Sequence, residues 1–284
     1  MTYKHPNLRT KSRNFGCVKR ILISNDDGYQ AKGIRSLIEM LRPLGCEITV
    51  CAPDGGRSGQ SCAFTVTNYL TLRPQGEWNG VRVFSCSGTP VDCVKIALNQ
   101  LYEETPDLVI SGINHGDNGS VNTHYSGTMG ACLEGCMKRI PSIAFSLCDH
   151  DPNADFSLMT PFVQQIVQAV LDNGLPEYVC LNVNCPATNP KTVSPDPNFK
   201  AFSEYKGIRI CRMTHSSWIN EIDKRDHPRG FPYYWMVGTY RNDEPQATDT
   251  DNWAINNGYV SVTPIHVDAT AYEAMDHVKD ILHL

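Results

Sequence analysis

The chain has 284 residues, 41% of them hydrophobic, enough to bury one large core or one core with an appendage. A formal net charge of −5 and a pI near 6.0 argue against a general binder of nucleic acid or anionic membrane surfaces. No run approaches the ~18 apolar residues of a membrane span, and no secretory apolar core is present.

Lys4, Arg9, Lys11, Arg13, Lys19 and Arg20 carry positive charge within the first twenty residues, which contain no acid. A basic, acid-poor start of this kind is either a transit sequence or a frayed extension. The absence of an amphipathic face favours the extension, set at residues 1–19. Ile21–Ser24 then reads as a strand and Gly33–Leu41 as a helix, with Ile34, Leu37, Ile38 and Leu41 on one face. Pro43 and Gly45 stop that helix. "CEITVCAP" and "VRVFSCSG" are the next strands. Thr89 looks like an N-cap with Pro90 at the first helical position, opening a helix to about Tyr102. "DLVISGIN", a helix beginning near Ser126, "SIAFSLC", a helix over 160–172 and "YVCLNVNCP" continue the alternation. Strands that are apolar almost throughout are covered on both faces, so the predicted fold is α/β with a mostly parallel sheet.

The texture changes after Pro186. Residues 186–200 are polar and rich in Pro, Asn and Thr, as in a linker or exposed loop. "GIRICRMT", "YYWMVGTY" and "GYVSVTPI" follow as expected longer antiparallel strands, and a final helical segment starts at Asp268. The predicted organisation is therefore an α/β core over 20–186 and an appendage over 187–284 that completes the fold and serves oligomerisation. The aromatic "PYYWMV" ribbon is the expected oligomer contact.

Twelve cysteines are present, but without any C-x-x-C pair. Several sit in strand-like runs, where Cys behaves as a small hydrophobe, so reduced buried thiols in a cytoplasmic protein are expected. Cys132, Cys136 and His124 form the alternative, a shared metal site with unusual spacing.

In open parallel sheets, ligands bind outside the carboxyl ends of the strands. Those ends here read Asn25-Asp26-Asp27-Gly28, Pro53-Asp54-Gly55-Gly56-Arg57-Ser58-Gly59, Ser87-Gly88-Thr89-Pro90 and Ser111-Gly112-Ile113-Asn114-His115-Gly116. Two adjacent unpaired carboxylates raise one another's pKa, whereas a divalent cation favours both charges. Oxygen donors select hard cations such as Mg²⁺ or Mn²⁺. A capped, exposed turn is the plainer reading of Asp26 and Asp27 taken alone. "HYSGTMGACLEG" places small residues and hydroxyls at a helix start, so N–H groups near Ser126–Met129 suit a phosphate, or Ser126 or Thr128 is simply an N-cap. The preceding "GDNGSVNTH" resembles a mobile lid. His115 is a candidate acid–base group or a surface loop residue, and Asp92 a first-turn acid. No G-x-x-x-x-G-K-[ST] occurs, and no G-x-G-x-x-G follows the first strand, which disfavours Walker NTPases and dinucleotide dehydrogenases.

"ILISNDDGYQAKGI", "APDGGRSGQS", "SGTPVDCVKIAL", "DLVISGINHGDN", "YSGTMGACLEG" and "GYVSVTPIHVDAT" together resemble the SurE family of metal-dependent 5′/3′-nucleotidases. The six blocks run in order from about Arg20 to about Thr270. The resemblance implies a Rossmann-like core with a C-terminal ribbon-and-helix appendage, acting on nucleoside monophosphates as a dimer or dimer of dimers. It further implies one Mg²⁺ or Mn²⁺ per subunit held by Asp26, Asp27, Ser58 and Asn114. Asp26 and Asp27 would be the catalytic pair, and Asn25, Ser126, Gly127 and Thr128 would meet the phosphate. Neither a nucleic-acid duplex nor a membrane is an expected partner. Gly55-Gly56 and His124 depart from the family pattern, which bears on substrate preference. Two other readings stay open: a haloacid-dehalogenase-type phosphatase with an aspartyl nucleophile, and a non-catalytic nucleotide binder on the same fold.

Overall fold

The structure, a computed structural model, describes residues 18–189 and 200–284. The basic segment 1–17 and the interior of the predicted linker lie outside the described residues. The elements run β1 (Arg20–Ser24), α1 (Lys32–Leu41), β2 (Glu47–Pro53), β3 (Leu72–Trp78), β4 (Val81–Cys86), α2 (Pro90–Gln100), β5 (Leu108–His115), α3 (Gly127–Met137), β6 (Ser142–Leu147), α4 (Thr160–Asn173) and β7 (Val179–Cys185). The C-terminal part adds β8 (Ile208–Ile210), β9 (Ser216–Ile219), β10 (Ile222–Asp226), β11 (Pro232–Met236), β12 (Thr239–Asn242), α5 (Asp251–Asn256), β13 (Val260–His266) and α6 (Met275–Leu282).

A nine-stranded sheet in the order β3-β4-β2-β1-β5-β6-β7-β13-β8 organises the molecule. The six strands from β4 to β7 in that order are mutually parallel. Side chains alternate across the sheet as strand geometry requires. Ile21 and Ile23 pack with Ile34 and Leu37 of α1 and with Val163 and Val167 of α4. Leu22, pointing the other way, packs with Val94 and Ala97 of α2 and Ala131 of α3. Burial on both faces explains why these strands read as apolar runs. Each fully buried Ile or Leu contributes about 1.5–3 kcal/mol, so the sheet frame is held firmly.

Two expectations change at the margins. "GIRICRMT" is not a long antiparallel strand: only Ile208–Ile210 form a strand, running parallel to β13, and Arg212 adds an isolated parallel bridge to Thr250. "YYWMVGTY" divides between β11 and β12, which belong to two separate two-stranded ribbons. Gly238, at φ +146 and packed against the Trp218 ring, breaks the run between them. "GYVSVTPI" does form an antiparallel strand, β13, but in the main sheet beside β7. The edge strand β3 is absent from the sequence reading because its "LRPQGEW" carries Pro74 and Gly76, both poor strand residues, and is largely exposed.

The eleven described cysteines are all free, nine of them buried. His124 is exposed while Cys132 and Cys136 are buried, and among the described residues no three His, Cys, Asp or Glu side chains group as a metal site. No described helix is long and apolar enough to cross a membrane.

Candidate active site

The chain leaves β1 toward β2 on one side and returns to β5 on the other, so strand order reverses between β1 and β5. Crevices form at such a reversal, outside the strands' carboxyl ends. Asp26 and Asp27 follow β1, and Asn114 lies at the end of β5 across that crevice.

Asn25 makes the turn that presents the acids. Its Nδ2 donates to the Gly28 carbonyl at 2.9 Å and its Oδ1 accepts from the Gly28 N–H at 3.2 Å. Gly28 has φ +99, and a side chain there would also press on the Gly55 backbone at 3.2 Å. That close approach carries the loop after β2 alongside: the Arg57 N–H donates to the Asp26 carbonyl at 2.7 Å. The Arg57 guanidinium pairs with Asp54 at 3.0 Å and donates to the carbonyls of Ser87 and Gly88, tying in the end of β4. Ser58 follows on this pinned loop and is exposed.

Asp26 is only 4% exposed. The start of α3 closes over it: a Cβ on Gly127 would stand 2.9 Å from the Asp26 Cβ, so no larger residue fits without displacement. The Thr128 hydroxyl donates to Asp26 Oδ1 at 2.5 Å, and the Ser126 hydroxyl caps the helix by accepting from the Met129 N–H at 3.0 Å. Burial, then the neighbouring charge of Asp27, pushes the Asp26 carboxyl up to about 6, against the pull of Thr128. Burial also raises Asp27, opposed by the charges of His115 and His150. Asp27 Oδ2 accepts from the His115 backbone N–H at 3.3 Å. The His115 imidazole itself sits 2.9 Å from the Asp151 carbonyl and edge-on to Phe156, with centroids 5.1 Å apart.

Asn114 reaches the crevice through an irregularity. The β5–β6 register shifts between Ser111 and Asn114, where Gly112 has φ +122 and lies so close to the Phe145 carbonyl that a Cβ would come within 2.3 Å. Asn114 Nδ2 donates to the Gly116 carbonyl at 2.8 Å, which reserves its Oδ1 for another partner. Gly33 at the start of α1 abuts the Ile113 carbonyl, fixing this bend from behind.

The two carboxylates, which burial holds protonation-prone, and the Asn114 amide oxygen, uncommitted among the described residues, are hard oxygen donors. That chemistry fits a hard divalent cation. The loop read as a mobile lid is instead pinned. Asn118 donates to Ser146 Oγ and accepts at its carbonyl from Thr123 and Asn182, while its N–H donates to Asn184 Oδ1. Buried Asn182 and Asn184 look like strand residues in sequence, and only their position beneath the loop reveals the network. Asp92 caps α2 and also accepts from the Thr65 N–H and hydroxyl, anchoring the segment after Ser58.

Comparison with known proteins agrees with this fold. The family described as survival protein SurE matches residues 21–220. A protein of Phocaeicola vulgatus named 5′-nucleotidase SurE is 50% identical over 260 residues, covering 92% of this chain and 95% of its own. Its namesake in Bacteroides fragilis is 48% identical over 259 residues, covering 91% and 96%. The crystal structure of the SurE protein from Aquifex aeolicus, 37% identical, superposes over 93% of this chain and 99% of its own with a TM-score of 0.75. With the fold and nearly the whole length of the chain matched at up to 50% identity, this chain belongs to the SurE family.

Proposed function

We infer that the protein is a 5′-nucleotidase, a phosphomonoesterase that converts nucleoside monophosphates to nucleoside and phosphate. The observation that carries this reading is the convergence of Asp26, Asp27 and the free amide oxygen of Asn114 at the β1/β5 reversal, beside the N-terminus of α3. The relatives named as 5′-nucleotidases support the substrate class. The haloacid-dehalogenase alternative is not favoured, because Asp26 is enclosed by Gly127 and Thr128 rather than open to in-line attack on a phosphoryl group.

Asp26, Asp27, Ser58 and Asn114 would hold one Mg²⁺ or Mn²⁺ per subunit. When bound, such an ion supplies positive charge against the phosphoryl oxygens and makes nearby water more acidic. Asp26 and Asp27 keep their charge in its presence and orient the reacting groups. The Gly127 N–H and the Ser126 hydroxyl proton face the phosphate at a helix N-terminus, whose dipole contributes about 0.3–1 kcal/mol to an anion. Asn25 and Thr128 act through the acids, Asn25 by shaping the turn and Thr128 by holding Asp26.

The unit of function is a homodimer or a dimer of dimers in the cytoplasm, with the core at 20–186 and the remainder as the assembling appendage. Tyr234, Trp235, Met236 and Val237 on and after β11 are half or more exposed, as are Ile281 and Leu282 of α6. Aromatic ribbons left bare in this way invite a partner chain. Phosphate release from a panel of nucleoside monophosphates, with and without added Mn²⁺, tests the assignment. Release from no nucleotide under either condition overturns it.

A further inference from the structure

We propose that the cavity between residues 120–124 and 213–216 is the nucleoside-binding subsite, and that His124 and His215 read the base. The cavity measures about 330 Å³ and is lined by Val121, His124, Met213, Thr214, His215 and Ser216. It stands at the lower end of the ~300–1,000 Å³ range of small-molecule sites, which suits one nucleoside rather than a longer ligand. This rests on the nucleotidase reading and deepens it.

Position comes first. His124 precedes the N-cap Ser126 by two residues, a span of at most about 7.6 Å between Cα atoms. Gly127, next along, touches Asp26. The cavity wall therefore begins about one sugar's width from the place where α3 and the acids would hold a phosphoryl group. The Ser61 hydroxyl donates to the His124 carbonyl at 2.6 Å, so the wall is fixed to the same loop that carries Ser58.

The cavity is also built rather than incidental. One buried carboxylate, Asp251, clamps both walls: its Oδ2 accepts from the Ser120 N–H at 2.7 Å and its Oδ1 from the Thr214 N–H and hydroxyl at 2.9 and 2.6 Å. The Val121 N–H donates to Ser216 Oγ at 3.2 Å, a second stitch across the gap. These bonds commit the Thr214 hydroxyl and one lone pair of Ser216. Val121 and Met213 supply apolar surface for a flat ring. The two imidazoles are exposed and, among the described residues, neither ring donates or accepts a hydrogen bond. Glu244 lies near His215, but its carboxylate is taken by the Arg212 guanidinium at 2.6 and 2.9 Å and by the His215 backbone N–H. Each imidazole has both a donor and an acceptor site and a face that stacks, the equipment that distinguishes one base edge from another.

The test compares the wild type with His124→Ala, His215→Ala and the double variant on nucleoside monophosphates and on p-nitrophenyl phosphate. The expected result is a KM for nucleotides raised by about tenfold, a kcat within about twofold, and a flattened ranking of bases, with p-nitrophenyl phosphate turnover unchanged. The Asn variants at both positions should recover part of the loss, since an amide keeps a donor and an acceptor. Unchanged nucleotide KM values, or equal losses on both substrates, overturn the proposal. A second measurement is independent of the variants' folding: free nucleosides titrated into wild type and followed by saturation-transfer NMR. No binding at millimolar nucleoside also overturns it. Were the wild type to hydrolyse p-nitrophenyl phosphate but no nucleotide, the nucleotidase reading would fail, and the nucleoside titration would still judge the cavity.

Discussion

The Thr128 hydroxyl and the Asp26 carboxylate meet at 2.5 Å although 102 positions separate them in the chain. A hydroxyl spent on one carboxylate oxygen fixes the carboxyl rotamer and sets which oxygen faces the crevice. Thr128→Val keeps the shape and removes the donor. A hydrogen bond to a charged group is worth about 1.5–3 kcal/mol, so turnover on a nucleoside monophosphate should fall roughly 10- to 100-fold with little change in secondary structure. Wild-type rates in a well-folded variant would show the contact to be idle.

Metal removal should silence the enzyme. The proposed ligands are all oxygen donors, and the two carboxylates carry raised pKa values that a cation would relieve. Chelated, dialysed protein is expected to retain under about a tenth of its phosphatase rate and to regain it with Mg²⁺ or Mn²⁺. Full activity in metal-free protein contradicts the assigned ligand set.

Asp27→Asn should separate stability from activity. The substitution removes one of two neighbouring charges in a buried setting, so the metal-free fold keeps or gains thermal stability. It also takes an anionic ligand from the cation, and turnover should drop at least about 100-fold. Calorimetric melting and metal titration on the same preparation check both halves. A destabilised but fully active variant would mean that the pair is structural.

Asp26 makes the stability of the metal-free protein depend on pH in a set direction. Its carboxyl is raised from 3.8 to about 6 in the fold. A raised pKa stabilises where the group is protonated, so the contribution is complete below the unfolded value and disappears as pH climbs through about 6. The chelated wild type should therefore lose about 3 kcal/mol relative to Asp26→Asn between acidic and neutral pH, and metal should restore most of it. Identical pH slopes for the two proteins would remove Asp26 as the source.

The bare ribbon can be tested directly. Tyr234 and Trp235 are 58% and 59% exposed. Changing both to Ser should shift sedimenting species toward monomer at low protein concentration, since each large aromatic buried against a partner contributes about 1.5–3 kcal/mol. A wild type that sediments as a monomer at every concentration defeats the assembly proposal.

What the sequence displayed and what it concealed follow one physical line. Interior strands such as Ile21–Ser24 were legible because burial on both faces forces an apolar run, and the loops bearing Asp26, Ser58 and Asn114 were legible because they end such runs. Thr89 and Ser126 were readable as caps because capping is local. The edge strand β3 was hidden, since half-exposed pairing leaves only a weak pattern and Pro74 and Gly76 disguise it. Contacts made across the fold left no local signature at all. Asp251 lies in an unremarkable polar stretch, yet its one carboxylate joins residues 120 and 214. Thr128 read equally well as a cap or a phosphate ligand until the chain placed it on Asp26.

The order of strands has a consequence for synthesis. β7 is flanked on its far side by β13, and Ser261 meets Asn184 across 77 positions of chain. A nascent polypeptide thus presents β7 as an unpaired, apolar edge for the whole time the ribosome takes to add the C-terminal segment. At roughly 5–20 residues per second that interval lasts several seconds, long enough for a holding chaperone to engage and for truncated products to aggregate. Released chains truncated within this stretch should be insoluble, whereas released chains truncated after His266 should have β7 covered by β13.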